Sequence, residues 1–267
     1  FAVVSTLAWG LGYFGMPHIL LRFMAIEDAK KLKLSRRIAS IWVVISMGVA
    51  ILIGVIGYGM TSAGAVELLE TSGTAETIIV KIAGLLAENG AFAALVAGVI
   101  LAGILAATMS TADSQLLAAA SSVSQNIIAP FAKKEFSTKT NMLIARITVI
   151  AISAVAIVLA SDPNASVFRV VSFAWAGFGA AFGPVVLFSL FWKRTTLAGA
   201  LSGMITGGAM VFIWKYGIAK LGGVFAIYEL LPAFLAACLV IVLVSLLTKA
   251  PIKEITDEFD EVKTMQA

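Results

Sequence analysis

Seven apolar stretches divide the chain, at approximately 1–24, 38–60, 92–124, 143–160, 167–191, 197–216 and 229–248. A helix needs about 20 predominantly apolar residues to cross roughly 30 Å of hydrocarbon. In lipid every backbone N–H and C=O must be satisfied within the spanning structure, which a helix does by itself. Seven such stretches in 267 residues leave little sequence for anything else. A water-soluble domain of this length would need a polar skin, yet 60% of the residues are hydrophobic and only 13% are charged. There are too few charges to cover a surface. The expectation is an all-α integral membrane protein embedded in a lipid bilayer.

The formal charge of +4 does not indicate a nucleic-acid partner, because Lys and Arg lie in short clusters between apolar runs and form no basic face interleaved with aromatics. They read instead as topology signals. The connections after spans one, three, five and seven carry Arg22, Lys30, Lys31, Lys33, Arg36 and Arg37; Lys133, Lys134, Lys139 and Arg146; Lys193 and Arg194; and Lys249, Lys253 and Lys263. The opposite connections hold Lys81, Arg169, Lys215 and Lys220. By the positive-inside rule Phe1 faces outward and Ala267 lies in the cytoplasm. The chain opens inside a hydrophobic segment at Phe1, so the expectation is the later part of a longer protein. Cys238, the only cysteine, excludes a disulfide within the chain and argues against a metal cluster.

The longest outward connection, 61–90, has helical apolar spacing in pieces and four glutamates against one lysine. Short helices lying across the outer face are expected there, while residues 249–267 are expected to be a solvated cytoplasmic tail. Gly199, Gly203 and Gly207, and Gly179 with Gly183, form small-xxx-small steps that let helix backbones approach closely in lipid.

Two places break the apolar monotony. In "LAATMSTADSQLLAAASS" (105–122), Ala107, Ser110, Thr111 and Ser114 fall at i, i+3, i+4 and i+7 and share one helix face. An unpaired hydroxyl buried in hydrocarbon costs roughly 1–3 kcal/mol. Such hydroxyls either bond back to a carbonyl one turn earlier or, with carbonyls, ligate a small cation. Asp113 stands beside them, and an ionisable side chain within a span is a functional candidate by default. The second place is "LAWGLGYFGMPHIL" (7–20), where Gly10, Gly12, Gly15 and Pro17 make a continuous helix least stable. Discontinuous helices near the midplane are how many secondary transporters present backbone groups to a solute. Trp9 and Tyr13, at i and i+4, would share one aromatic face there. Taken singly, each fits an ordinary packing role.

The stretches "WGLGYFGMPHILLRFMA" (9–25), "MSTADSQLL" (109–117) and "SFAWAGFGAAFGPVVLFSLFWKRTTLAGALSGMITGG" (172–208) resemble the sodium/solute symporter family, and within it the sodium/proline symporters, along essentially the whole chain. The resemblance implies transport and not enzyme catalysis. It implies the second half of a LeuT-like inverted-repeat core: a second five-helix repeat at 1–191, two peripheral transmembrane helices at 192–248 and a tail at 249–267. The N-terminal repeat of the same protein would be the missing partner. It further implies multi-pass residence in the plasma (inner) membrane and a sodium site formed by the Ala107 carbonyl with the Ser110 and Thr111 hydroxyls. A second sodium is implied near Asp113 and Ser114, although an acid stands here where many relatives carry a hydroxyl. Proline would be recognised through Trp9, Tyr13 and Pro17, with Met16 standing in place of an expected glutamine. The alternatives are sodium symport of pantothenate or another organic anion, and a transporter-like sensory module.

Overall fold

The computed structural model describes residues 2–132, 137–161 and 166–265. Lys133, Lys134, Phe1 and Ala267, which entered the orientation argument, lie outside the described residues. Among the described residues there is no strand, and six helices are long and apolar enough to cross a membrane. These are α3 (Leu32–Ser62), α6 (Ala91–Ser121), α8 (Thr138–Leu159), α9 (Val167–Phe191), α10 (Leu197–Tyr216) and α11 (Leu230–Leu247). The stretch 1–24 is broken: α1 (Ala2–Gly12) passes through a 3-10 turn at Tyr13–Gly15 and an extended Met16 into α2 (Pro17–Met24).

The break has a local cause. A residue before proline avoids the helical region, and Met16 sits at φ −88°, ψ 111°. Pro17 then takes the first position of α2, where its missing N–H costs nothing, and the Met16 carbonyl accepts the N–H groups of Ile19 and Leu20 at 3.0 and 3.1 Å.

The chain forms two compact units, residues 1–24 with 168–267, and residues 25–167. In the first, Ala176, Ala180, Val211, Leu230, Ala233 and Phe234 form the buried core. Its helices meet along glycines. A Cβ on Gly199 would strike Ser245, and one on Gly203 would strike Ile241. The partner number falls as the glycine number rises, so α10 and α11 run antiparallel. On Gly179 a Cβ would come within 2.7 Å of the Gly12 Cα, which places α1 directly on α9. At the far end of the hairpin, Thr196 caps α10 by accepting the Gly199 N–H at 3.1 Å, and Arg194 donates to the Thr248 carbonyl at 2.7 Å. The tail is helical as α12 (Lys253–Met265), and an exposed Lys193–Asp260 ion pair ties it to the connection between α9 and α10.

In the second unit the outward connection contains α4 (Ser72–Ala75) and α5 (Ile78–Ala87). Ile78 fills the space left by the missing side chain of Gly57 on α3. The Glu76 carboxylate accepts the Ser166 hydroxyl at 2.7 Å and the Val167 N–H at 3.0 Å, so an acid from this connection caps the first turn of α9. Beyond Ser121, α6 continues as a π-helical turn, Ser122–Ile128, and then α7 (Ala129–Ala132). The most apolar stretches of α3 and α8 contain no buried residue. Side chains such as Trp42, Val44, Ile51 and Ile157 are 64–73% exposed, an apolar surface suited to lipid and not to water. This is a multi-pass membrane protein.

Candidate functional site

The end of α1 presents Trp9. Its carbonyl lies in the last turn of the helix, and Trp175 Nε1 on α9 donates to it at 3.0 Å. That indole occupies the space a side chain on Gly12 would need, with a Cβ falling 1.9 Å from Nε1. The Trp9 ring is stacked by three others, with centroids 5.3 Å from Phe168, 5.8 Å from Trp175 and 5.7 Å from Tyr228, at interplanar angles of 25°, 28° and 16°. Tyr13 meets Trp175 edge-on at 4.9 Å and is 56% exposed. Thus Trp9 and Tyr13 are brought together through Trp175. Pro17 stands apart, exposed at the start of α2 beyond the turn.

Tyr228 belongs to the connection between α10 and α11. Its hydroxyl donates to the Ser172 carbonyl at 2.6 Å, and its N–H donates to Ser5 Oγ at 3.1 Å. Burial raises its phenol pKa, and the neighbouring Glu229 carboxylate pushes in the same direction; the group is therefore a neutral donor at physiological pH. Phe168, Trp175 and Tyr228 were not among the residues that sequence reasoning selected. Trp175 carries a faint signal inside an aromatic-rich, glycine-rich run, but Tyr228 lies 223 residues from Ser5 and nothing near it in sequence announces the contact.

On α6 the polar stripe lies on one uninterrupted helix. At about 100° per residue, Ala107, Ser110, Thr111 and Ser114 fall within an arc of roughly 100°, and Asp113 stands roughly 60° outside it beyond Ser110. Thr111 Oγ1 donates to the Ala107 carbonyl at 3.3 Å and Ser114 Oγ to the Ser110 carbonyl at 3.0 Å. Both therefore follow the backbone-bonding option. The Ser110 hydroxyl and the Asp113 carboxylate have no partner among the described residues; Ala107, Ser110, Thr111 and Asp113 are exposed and Ser114 is half-buried. Also among the described residues, no three His, Cys, Asp or Glu side chains cluster closely enough to hold a metal ion.

The sodium:solute symporter family matches residues 1–207. A sodium/proline symporter of Haemophilus influenzae is 42% identical over 98% of this chain and 51% of its own length. For a high-affinity proline transporter of Bacillus subtilis the identity is 42% over 97% of this chain and 52% of that protein, and for an osmoregulated proline transporter of the same species 41% over 94% and 49%. The chain spans about half the length of the curated relatives it matches. No solved structure matches it.

Proposed function

The chain belongs to the sodium:solute symporter family, and we propose that its protein performs sodium-coupled symport of a small amino acid, L-proline, by alternating access in the plasma membrane. The observation that carries this reading is the identity of 38–42% over nearly the whole chain to relatives named as sodium/proline symporters or proline transporters. On this reading residues 1–191 are the second five-helix repeat of a LeuT-like core, residues 192–248 are peripheral helices, and 249–267 is a cytoplasmic tail.

Sodium is a co-substrate in this scheme. The Ala107 carbonyl with the Ser110 and Thr111 hydroxyls would hold it, and a second ion would lie near Asp113 and Ser114. The Ala107 and Thr111 oxygens are 3.3 Å apart. Two oxygens at right angles about an ion held at roughly 2.3–2.6 Å, the range for the similarly sized Ca²⁺, stand roughly 3.3–3.7 Å apart. The spacing therefore suits a shared ion with little rearrangement: the hydroxyl proton turns away and both lone pairs face the ion. The unpartnered Ser110 hydroxyl is the third oxygen on the same turn. Trp9 and Tyr13 offer the solute an apolar aromatic wall, and Pro17 marks the discontinuity where backbone groups become available. Coupling requires only that sodium and solute both prefer the same conformation; they need not touch.

The test uses the full-length protein containing this chain. Replacing Ser110 and Thr111 together by Ala is expected to raise the half-saturating sodium concentration for proline uptake by about tenfold or more, about 1.4 kcal/mol of lost ion binding, with the amount of protein in the membrane unchanged. Unaltered sodium dependence would reject the site.

A further inference from the structure

The outer arm of the broken helix is held by a residue that lies outside the five-helix stretch. Tyr228 reaches from the connection between α10 and α11 to three places at once: its ring lies 5.7 Å from the Trp9 ring at 16°, its hydroxyl donates to the Ser172 carbonyl at 2.6 Å, and its N–H donates to Ser5 Oγ at 3.1 Å. Ser5 is one turn before Trp9 on α1, and Ser172 is one turn before Trp175 on α9. Tyr228 therefore bridges the turns that precede both tryptophans, whose own bond runs from Trp175 Nε1 to the Trp9 carbonyl.

The strut is itself anchored. Glu229, with only 13% of its side chain exposed, pairs with Lys215 near the end of α10 at 3.2 Å, and the Lys215 ammonium lies 4.2 Å from the centre of the Phe173 ring. Trp214 Nε1 donates to the Phe225 carbonyl at 3.1 Å. The backbone on both sides of Tyr228 is thus fastened to the α10–α11 hairpin, and α10 and α11 are locked together along Gly199 and Gly203. A ring mounted on so rigid a base fixes its neighbour's position as well as filling space.

We propose that Tyr228 is a positioning residue for solute binding: mounted on the peripheral hairpin, it sets the orientation of the Trp9 ring and thereby the affinity for the amino-acid substrate. The proposal rests on the reading of Trp9 as a solute contact. It assigns the two peripheral helices a share in substrate recognition, delivered through one side chain. The chemistry asked of Trp9 is that of an apolar aromatic contact for a small aliphatic ring, and such a contact works only while the tilt of the indole is held.

The experiment measures proline uptake kinetics in the full-length protein for Tyr228→Phe, Tyr228→Leu and Trp9→Ala, with sodium titrations on each. Tyr228→Phe keeps the stack and loses the bond to Ser172; one such bond corresponds to a rise in KM of about threefold to tenfold. Tyr228→Leu also loses the stack and is expected to raise KM further. For both, kcat and half-saturating sodium stay within about twofold of the unchanged protein. If Tyr228→Leu fails to reach the membrane, Tyr228→Phe, which preserves the ring and its packing, decides the matter. Unchanged KM in the Tyr228 variants, or a loss confined to kcat or to membrane content, overturns the positioning role while a raised KM in Trp9→Ala leaves the solute site standing. Unchanged KM in Trp9→Ala removes the solute site at Trp9, and the inference falls with it.

Discussion

Gly12 shows how one missing side chain organises a neighbourhood. The hydrogen on its Cα leaves the space that the Trp175 indole enters to reach the Trp9 carbonyl, and the bond that results ties α9 to the last turn of α1. The polar counterpart is Glu67, whose pKa is lowered by its hydrogen bond and charge attraction to Lys81 on α5. A carboxylate with a depressed folded-state pKa adds stability that is complete above its unfolded value and is lost as pH falls through the folded value. The sign is therefore destabilisation on the acid side only, below the ordinary carboxylate value of 4.5. Because the pair is exposed, the contribution is small and weakens with salt. Thermal melting of the purified protein against Glu67→Gln should show a small difference at neutral pH that vanishes on acidification. A difference that grows with acid would refute the assignment.

At the scale of elements, the crossing of α9 and α10 turns on a proline and a glycine. Pro184 within α9 has no N–H to give the carbonyl four residues earlier, that of Ala180. That oxygen faces Gly207, where a Cβ would come within 2.1 Å of it. Backbone on both sides leaves nothing flexible to yield. Gly207→Ala is expected to cost about 1–3 kcal/mol, as overpacking does, read as a lower melting temperature in detergent. Gly208→Ala, whose new carbon would meet only the Ala181 methyl at 4.0 Å, should leave melting nearly unchanged. Equal melting of the two variants would remove this crossing. The same physics explains what could be read in advance. The glycine spacings at 199, 203 and 207 and at 179 and 183 are local and mark ridges, but they do not say which helix each ridge meets. The break at Met16–Pro17 was legible because proline restricts the residue before it. The cap that Glu76 places on α9 was not, since it joins residues 90 apart.

For the whole molecule, the apolar faces of α3 and α8 and the distribution of Lys and Arg speak to the bilayer. In the proposed orientation the connection at 61–90 lies outside and the tail at 249–267 lies inside. Reporters that discriminate the two compartments, inserted at Gly64 in the full-length protein or fused after Ala267, should read outside and inside respectively; the reverse pattern would invert the topology. What the sequence alone determined was whatever depends on neighbours along the chain: membrane-crossing helices, from runs of about 20 apolar residues; the interruption after Gly15; and the shared face of Ala107, Ser110, Thr111 and Ser114, from the helical period. Tertiary structure decided which groups complete those features. Phe168, Trp175 and Tyr228 around Trp9, Gly207 against the Ala180 carbonyl, and Glu76 at the start of α9 all arise from packing between segments far apart in the chain. Ring stacking and van der Waals fit act over a few ångströms in space and leave no period or spacing in the sequence by which to find them.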